Sequence, residues 1–189
     1  MTTATSTAPL TGTWNIDPAH TRVGFSARHA MVATVRGSFN QLSGVLDLDD
    51  LTPSRSTATV TVRSASIDTG QADRDKHLRG ADFFDADKWP ELSFKSTNVR
   101  ATGADEYVLT GDLTIRDVTR PVELSITYLG SSTDPFGNAR AGFDGHAEIS
   151  RKDFGLTWNV ALETGGFLVS DKVKITLDVS AIKQGPVDT

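Results

Sequence analysis

The sequence predicts an all-β fold, an antiparallel barrel of about eight strands with one short helical insertion, on three observations. From Val23 to Val179, apolar residues recur at every second position. Turn-forming residues interrupt these runs at hairpin-like intervals. One polar segment, 69–88, breaks the alternation and reads instead as helix. A period of two with one apolar and one polar face marks strands wet on one side only, which is the habit of antiparallel sheets.

The elements follow in order. Val23, Phe25 and Ala27 share a face opposite Arg22, Ser26 and Arg28. A less regular stretch, Val35–Leu48, is read as the second strand, closed by Asp49-Asp50 and Pro53. Ala58, Val60 and Val62 then alternate with Thr57, Thr59, Thr61 and Arg63. In the polar segment, Asp68 or Thr69 serves as N-cap and Gly80 as stop, and Trp89-Pro90 returns the chain to extended structure. Leu92 and Phe94 alternate with Ser93, Lys95 and Thr97, before a turn at 102–105. Tyr107, Leu109, Leu113 and Ile115 oppose Thr110, Asp112 and Thr114, ahead of Arg116-Asp117. Val122, Leu124, Ile126 and Tyr128 oppose Glu123, Ser125 and Thr127, up to a loop at 131–138. Phe143, Ala147 and Ile149 oppose Asp144, His146 and Glu148, and Val173, Ile175, Leu177 and Val179 form the last strand.

The chain has 189 residues, a length suited to one domain with a sizeable interior. We place that domain at 10–183, between a Thr/Ala-rich N-terminal tail, 1–9, and a C-terminal tail, 184–189. The net charge of -5, with basic residues interleaved among acidic ones, argues against a nucleic-acid partner. The absence of cysteine excludes disulfides, thiolate catalysis and Cys-ligated metal. The first nine residues contain neither a basic residue nor an apolar run, so no secretory signal is read and a cytoplasmic location is expected. No stretch is long and apolar enough for an integral membrane segment.

An eight-stranded barrel is just wide enough to be packed by its own side chains or to hold one ligand. Several inferred inward positions are small: Ala27, Ala58, Ser64, Gly111, Gly145 and Ala147. Phe25, Phe94 and Phe143 supply about one large aromatic per strand. Small inward residues either leave room for an apolar guest or relieve crowding in a filled core. Periodicity alone leaves the two readings level.

A resemblance separates them. Thr13-Trp14-Asn15-Ile16-Asp17 with His20, Val23, Phe25 and His29 opens the series. Arg74-Asp75 with His77-Leu78, Asp82-Phe83-Phe84-Asp85 and Trp89-Pro90 follow. Gly111 to Ile115, Thr119 to Val122, Arg151 to Gly155 and Ser170 to Val173 complete it. In this order, over roughly 10–183, the chain resembles the YceI family. The resemblance implies an extended, lipocalin-like barrel that sequesters a polyisoprenoid or similar long-chain amphiphile in its bore, in many members as a homodimer, with no catalytic residues. Many members carry a secretory signal that this chain does not show, and Asp117 stands where the family commonly has Gly.

The expected function is therefore a non-catalytic carrier of a long apolar lipid, with no cofactor and no metal. A filled structural barrel is the alternative, and an enzyme acting on bound lipid a more distant one. The lining expected from parity is Val23, Phe25 and Ala27; Val60 and Val62; Phe94; Gly111, Leu113 and Ile115; Leu124 and Ile126; Phe143 and Ala147; and Ile175 and Leu177. His29 and Arg74 are the candidate head-group contacts, though each is read first as a structural brace. Phe83 and Phe84 are expected to pin the insertion to the barrel. Arg151 is expected to pair with Asp153. The four histidines show no metal-binding spacing, and no nucleophile elbow or phosphate loop is present.

Overall fold

The structure, a computed structural model, describes residues 9–185. The expected N-terminal tail, apart from Pro9, and the end of the C-terminal tail, 186–189, lie outside the described residues.

Eleven strands assemble into eight staves. The first is β1 (Gly12–Ile16) continued, after a 3-10 turn at Pro18–His20, by β2 (Arg22–His29). The second is β3 (Ala33–Phe39) and β4 (Leu42–Leu48), and the third is β5 (Thr57–Arg63) with the two-residue β6 (Ile67–Asp68). The rest are β7 (Glu91–Ala101), β8 (Glu106–Ile115), β9 (Val118–Thr133), β10 (Ala139–Ser150) and β11 (Val169–Lys183). All pairings are antiparallel, in the order β1-β4-β5-β7-β8-β9-β10-β11, and β11 closes the circle on β1. The edge of β11 is shared. Its far end pairs with β1, Trp14 opposite Lys183, and its middle pairs with β2, Leu177 opposite Val23.

The expected second strand needs correction. The stretch 35–48 is not one strand, since Asn40 and Gln41 divide it and the Asn40 amide donates to Ser66 O. The break lets β3 pair with β2 and β6 while β4 turns to β1 and β5. The left-handed residue in the β8–β9 turn is Arg116 (φ 58°), so the family's Gly position is not where the backbone is strained.

β6 pairs only with β3 among the described residues, which leaves the upper wall between β6 and β7 unzipped. The insertion occupies that opening. Its helix α1 is short, Ala72–Arg79, and stops at Gly80. Gln71 holds the N-cap position without a side-chain hydrogen bond, contrary to the Asp68 or Thr69 cap expected. The roles are reversed: the Asp75 carboxylate, inside the helix, accepts from both the amide (2.9 Å) and the hydroxyl (2.5 Å) of Thr69. Phe84 stacks edge-on against Phe39 at 5.6 Å, which fixes the insertion to the barrel interior.

The core divides in two. One cluster, Phe39, Val62, Ile67, Leu92, Ile115, Phe154 and Leu156, lies at the insertion end. The other, Trp14, Ile16, Leu46, Ala58, Ala141 and Ala181, lies where β1 meets β11.

Candidate ligand-binding cavity

The barrel interior is not filled by its own side chains. Two apolar chambers lie along it, about 230 Å³ at the insertion end and about 150 Å³ at the other. Val60, Phe94, Leu124 and Leu177 line both, so the chambers meet at a waist built from β5, β7, β9 and β11. Many inward side chains, such as Val23, Phe25, Leu113, Ile126 and Ile175, remain only half-buried although they face the interior. Inward apolar residues that keep accessible surface are the sign of an open lumen, because a packed core would cover them.

Most of the residues read inward from parity lie along one chamber or the other. Val23, Phe25, Ala27, Val62, Leu113, Ile115 and Ile175 line the larger chamber, while Ile126 and Phe143 line the smaller. Gly111 and Ala147 line neither. Gly111 points inward, but a Cβ there would fall 2.4 Å from Phe94 Cζ and 2.6 Å from Lys95 O. The missing side chain is therefore space already used by the Phe94 ring. Gly145 does the same for Ile126 and Leu177, whose Cδ1 atoms would lie 2.7 and 3.1 Å from a Cβ. These glycines do not hollow the barrel; they let large side chains lie flat against its wall. Ala147 sits opposite Ile175, whose longer side chain reaches the chamber when a methyl does not. Ser64, another inferred inward residue, is fully buried and donates to Trp89 O at 2.7 Å, a tie rather than a source of room.

The two head-group candidates do not line the lumen. His29 is exposed at the β2–β3 tip. Arg74 donates to the Thr69 hydroxyl (2.7 Å) and carbonyl (2.9 Å), so it braces the start of the insertion. His77 contacts Asp82 at 2.8 Å and stacks edge-on with Trp158 at 4.7 Å and Phe83 at 5.2 Å. This aromatic cluster joins the insertion to the loop 155–168 at the end of the larger chamber.

The charged residue that does line the larger chamber is Arg151, only 4% exposed. It does not pair with Asp153. Its guanidinium donates to the carbonyls of Leu156 (2.6 Å), Trp158 (2.9 Å), Val169 (3.3 Å) and Ser170 (2.8 Å), fastening both ends of the same loop. Burial pulls its pKa down, and the nearby Asp171 carboxylate opposes that. Main-chain acceptors leave no signature in sequence, which is why this role was not read there.

The smaller chamber ends differently. Asp49, Asp50 and Ser56 from the β4–β5 connection and Thr57 at the start of β5 reach its lining, together with Tyr107 and Tyr128. Burial raises the Tyr107 pKa, and the charges of Asp105 and Asp50 add to it, so the phenol stays a neutral hydrogen-bonding group. Val99 also lines this chamber and was missed, because the irregularity between Ser96 and Asn98 in the β7–β8 pairing shifts the parity of β7. Among the described residues no three His, Asp or Glu side chains converge as a metal site, and no helix is long and apolar enough to cross a membrane.

Comparison with known proteins agrees with this architecture. The chain is 41% identical to a UPF0312 protein of Photorhabdus laumondii over 140 residues, 74% of this chain and 72% of that protein. It is 37% identical to Protein YceI of Shigella flexneri over 165 residues, 87% of this chain and 83% of that protein. The crystal structure of BcnA from Burkholderia cenocepacia superposes with a TM-score of 0.75 at 25% identity, over 87% of this chain and 98% of that one. A polyisoprenoid binding domain from Saccharophagus degradans shares the fold with a TM-score of 0.66 at 12% identity, over 90% of this chain and 98% of that one. The model of the YceI-like domain matches residues 14–181, and with the relatives' identities it establishes that this chain is a member of the YceI family.

Proposed function

We propose that the protein is a non-catalytic carrier that sequesters a long-chain apolar molecule, an isoprenoid or a similar amphiphile, along its bore. The observation that carries the reading is the pair of apolar chambers meeting at a waist of four shared residues. An elongated guest crossing the waist would contact both, which suits a flexible chain better than a compact ring system. The fold shared with a polyisoprenoid binding domain supports the same reading.

The driving force is burial. Each methylene withdrawn from water contributes about 0.8 kcal/mol, so a chain of several isoprene units has a gross gain well above the roughly 18–21 kcal/mol ceiling of real affinities. Ordering the chain offsets the excess. Affinity then follows tail length, and polar groups such as Tyr107 and Tyr128 select among heads. The one charged residue lining the larger chamber, Arg151, is committed to four carbonyls and so is held as a brace rather than free to act on a guest.

Native mass spectrometry before and after organic extraction tests the proposal. A long-chain species should leave on extraction, and added solanesol should restore the mass shift. Protein that yields no such species and also fails to take up solanesol would end the carrier reading.

A further inference from the structure

The end of the larger chamber carries an apolar surface that the barrel wall does not require. At the tip joining β2 and β3, Ala30 and Met31 are both left-handed, with φ of 49° and 66°. Consecutive left-handed residues suit Asn-Gly, and Ala-Met meets steric opposition there from each Cβ. The strained turn holds Met31 and Val32 out in solvent, 65% and 81% exposed. Beside it runs the loop 155–168: the Ala30 amide donates to Leu168 O at 2.7 Å, and Met31 Sδ lies 3.3 Å from where a Cβ on Gly166 would sit. That loop exposes Phe167, and its two arms are held together by the Ala161–Phe167 bridge and by the hydrogen bond from the Leu168 amide to Val160 O. Three large apolar side chains from two adjoining segments, Met31, Val32 and Phe167, thus form the patch.

Its border is cationic where it meets the aromatic ring. Lys152 Nζ stands 5.9 Å from the Phe167 ring centroid, and exposed Arg28 adjoins the loop's return, its amide bonded to Ser170 Oγ. The acidic residues close by are Asp153 beside Lys152, Asp171, whose carboxylate accepts from the Lys152 amide at 3.2 Å, and Glu163 on the loop. Arg151 pins both ends of the loop, so the patch is presented on a fixed base.

We infer that this tip docks on the surface of an anionic lipid bilayer, with Met31, Val32 and Phe167 entering the boundary between head groups and acyl chains and Lys152 and Arg28 facing phosphate. Apolar side chains flanked by cations are the chemistry of interfacial insertion. The inference rests on the carrier reading and adds the place of exchange. The docking loop also carries Trp158, whose ring meets His77 and Phe83 of the insertion, and Phe83 lines the larger chamber. Docking sets that end of the chamber against the phase in which a water-insoluble guest dissolves.

Flotation of the full chain with vesicles of phosphatidylcholine, with or without phosphatidylserine, tests it. The protein should float with phosphatidylserine vesicles and far less with phosphatidylcholine alone. Met31→Ser with Phe167→Ser should lose at least tenfold in partitioning, and Lys152→Glu about fivefold, an effect that high salt removes. All these positions are exposed, and uptake of solanesol added from ethanol should stay within about twofold in each variant. Protein that takes up solanesol yet ignores phosphatidylserine vesicles overturns the docking and leaves the carrier intact; failure of both removes the carrier as well. Variants that float like the parent also overturn it. So does a parent that forms a dimer dispersed by Met31→Ser with Phe167→Ser without binding vesicles, because the patch then belongs to a second copy of this chain.

Discussion

The two chambers share four wall residues and differ in how each is bounded. The smaller lies within unbroken staves, beside the fully buried Trp14, and its rim is polar, with Asp49, Asp50 and Tyr107. The larger lies where β6 and β7 do not pair, and its wall is completed by Leu78, Phe83 and Phe84 from the insertion. A strand ladder opens only with the whole sheet, whereas an insertion held by side-chain contacts can open alone. One half of the lumen is thus walled by strand ladders and the other is completed by side chains of an insertion.

Trp14→Ala should have the largest effect. The side chain is wholly buried and its indole N–H donates to Leu10 O at 2.8 Å, so its removal should cost about 3–5 kcal/mol in denaturant unfolding. Hydrogen exchange should lose protection throughout the wall strands while α1, which opens locally, changes little. Equal loss in both would break the distinction and make the molecule one cooperative unit.

Val60→Phe sharpens the comparison at the waist. Denying a long guest a few methylenes' worth of burial weakens binding by about 100-fold, while a short alcohol such as geraniol, fitting one chamber, should lose less than about threefold. Titration calorimetry with geraniol and solanesol would read the ratio, and equal losses would show that the chambers do not serve one guest.

The smallest effect concerns acid. Arg140 bridges Asp17 (2.7 Å) after β1 and Asp134 (2.8 Å) in the β9–β10 hairpin, outside the smaller chamber. Chiefly through Arg140, and secondarily through His20, the Asp17 carboxyl is held at about 2 rather than 3.8. A depressed carboxyl stabilises the fold above its unfolded pKa, and that contribution fades as pH falls from near 4 to about 2. The same Arg140 is the chief cause holding the Asp134 carboxyl lower still. Arg140→Gln should therefore be less stable than the parent at neutral pH, with the gap narrowing as pH falls from near 4 through about 2 and closing only below it. A gap that persists unchanged in acid would assign Arg140's role to packing.

Alternation made the wall legible, since an apolar residue that alternates with Thr or Lys has one side to turn to. It gave Val60, Phe94 and Leu177 their direction, and it gave Gly111 the right direction with the wrong consequence. Parity reports where a Cβ would point and nothing of what another strand has already laid there, in this case the Phe94 ring. A single extra residue hides everything beyond it, as the β7 irregularity hid Val99. Arg151 was assigned a carboxylate partner because charges are visible in sequence; the carbonyls that hold it belong to every residue alike. Arg74 was read first as a brace, but Thr69, which it shares with Asp75, was taken for the cap rather than the thing capped.

Closure by β11 on β1 has a consequence for biosynthesis. Asn15 and Gln184, 169 residues apart, touch across the seam, so the ring cannot seal until nearly all of the chain has left the ribosome. Up to that moment the incomplete sheet exposes two bare edges and its oily face to the crowded cell, and pairings this distant in sequence form slowly. The same seam that later shuts water out of the lumen is thus the last part of the wall that the growing chain can complete.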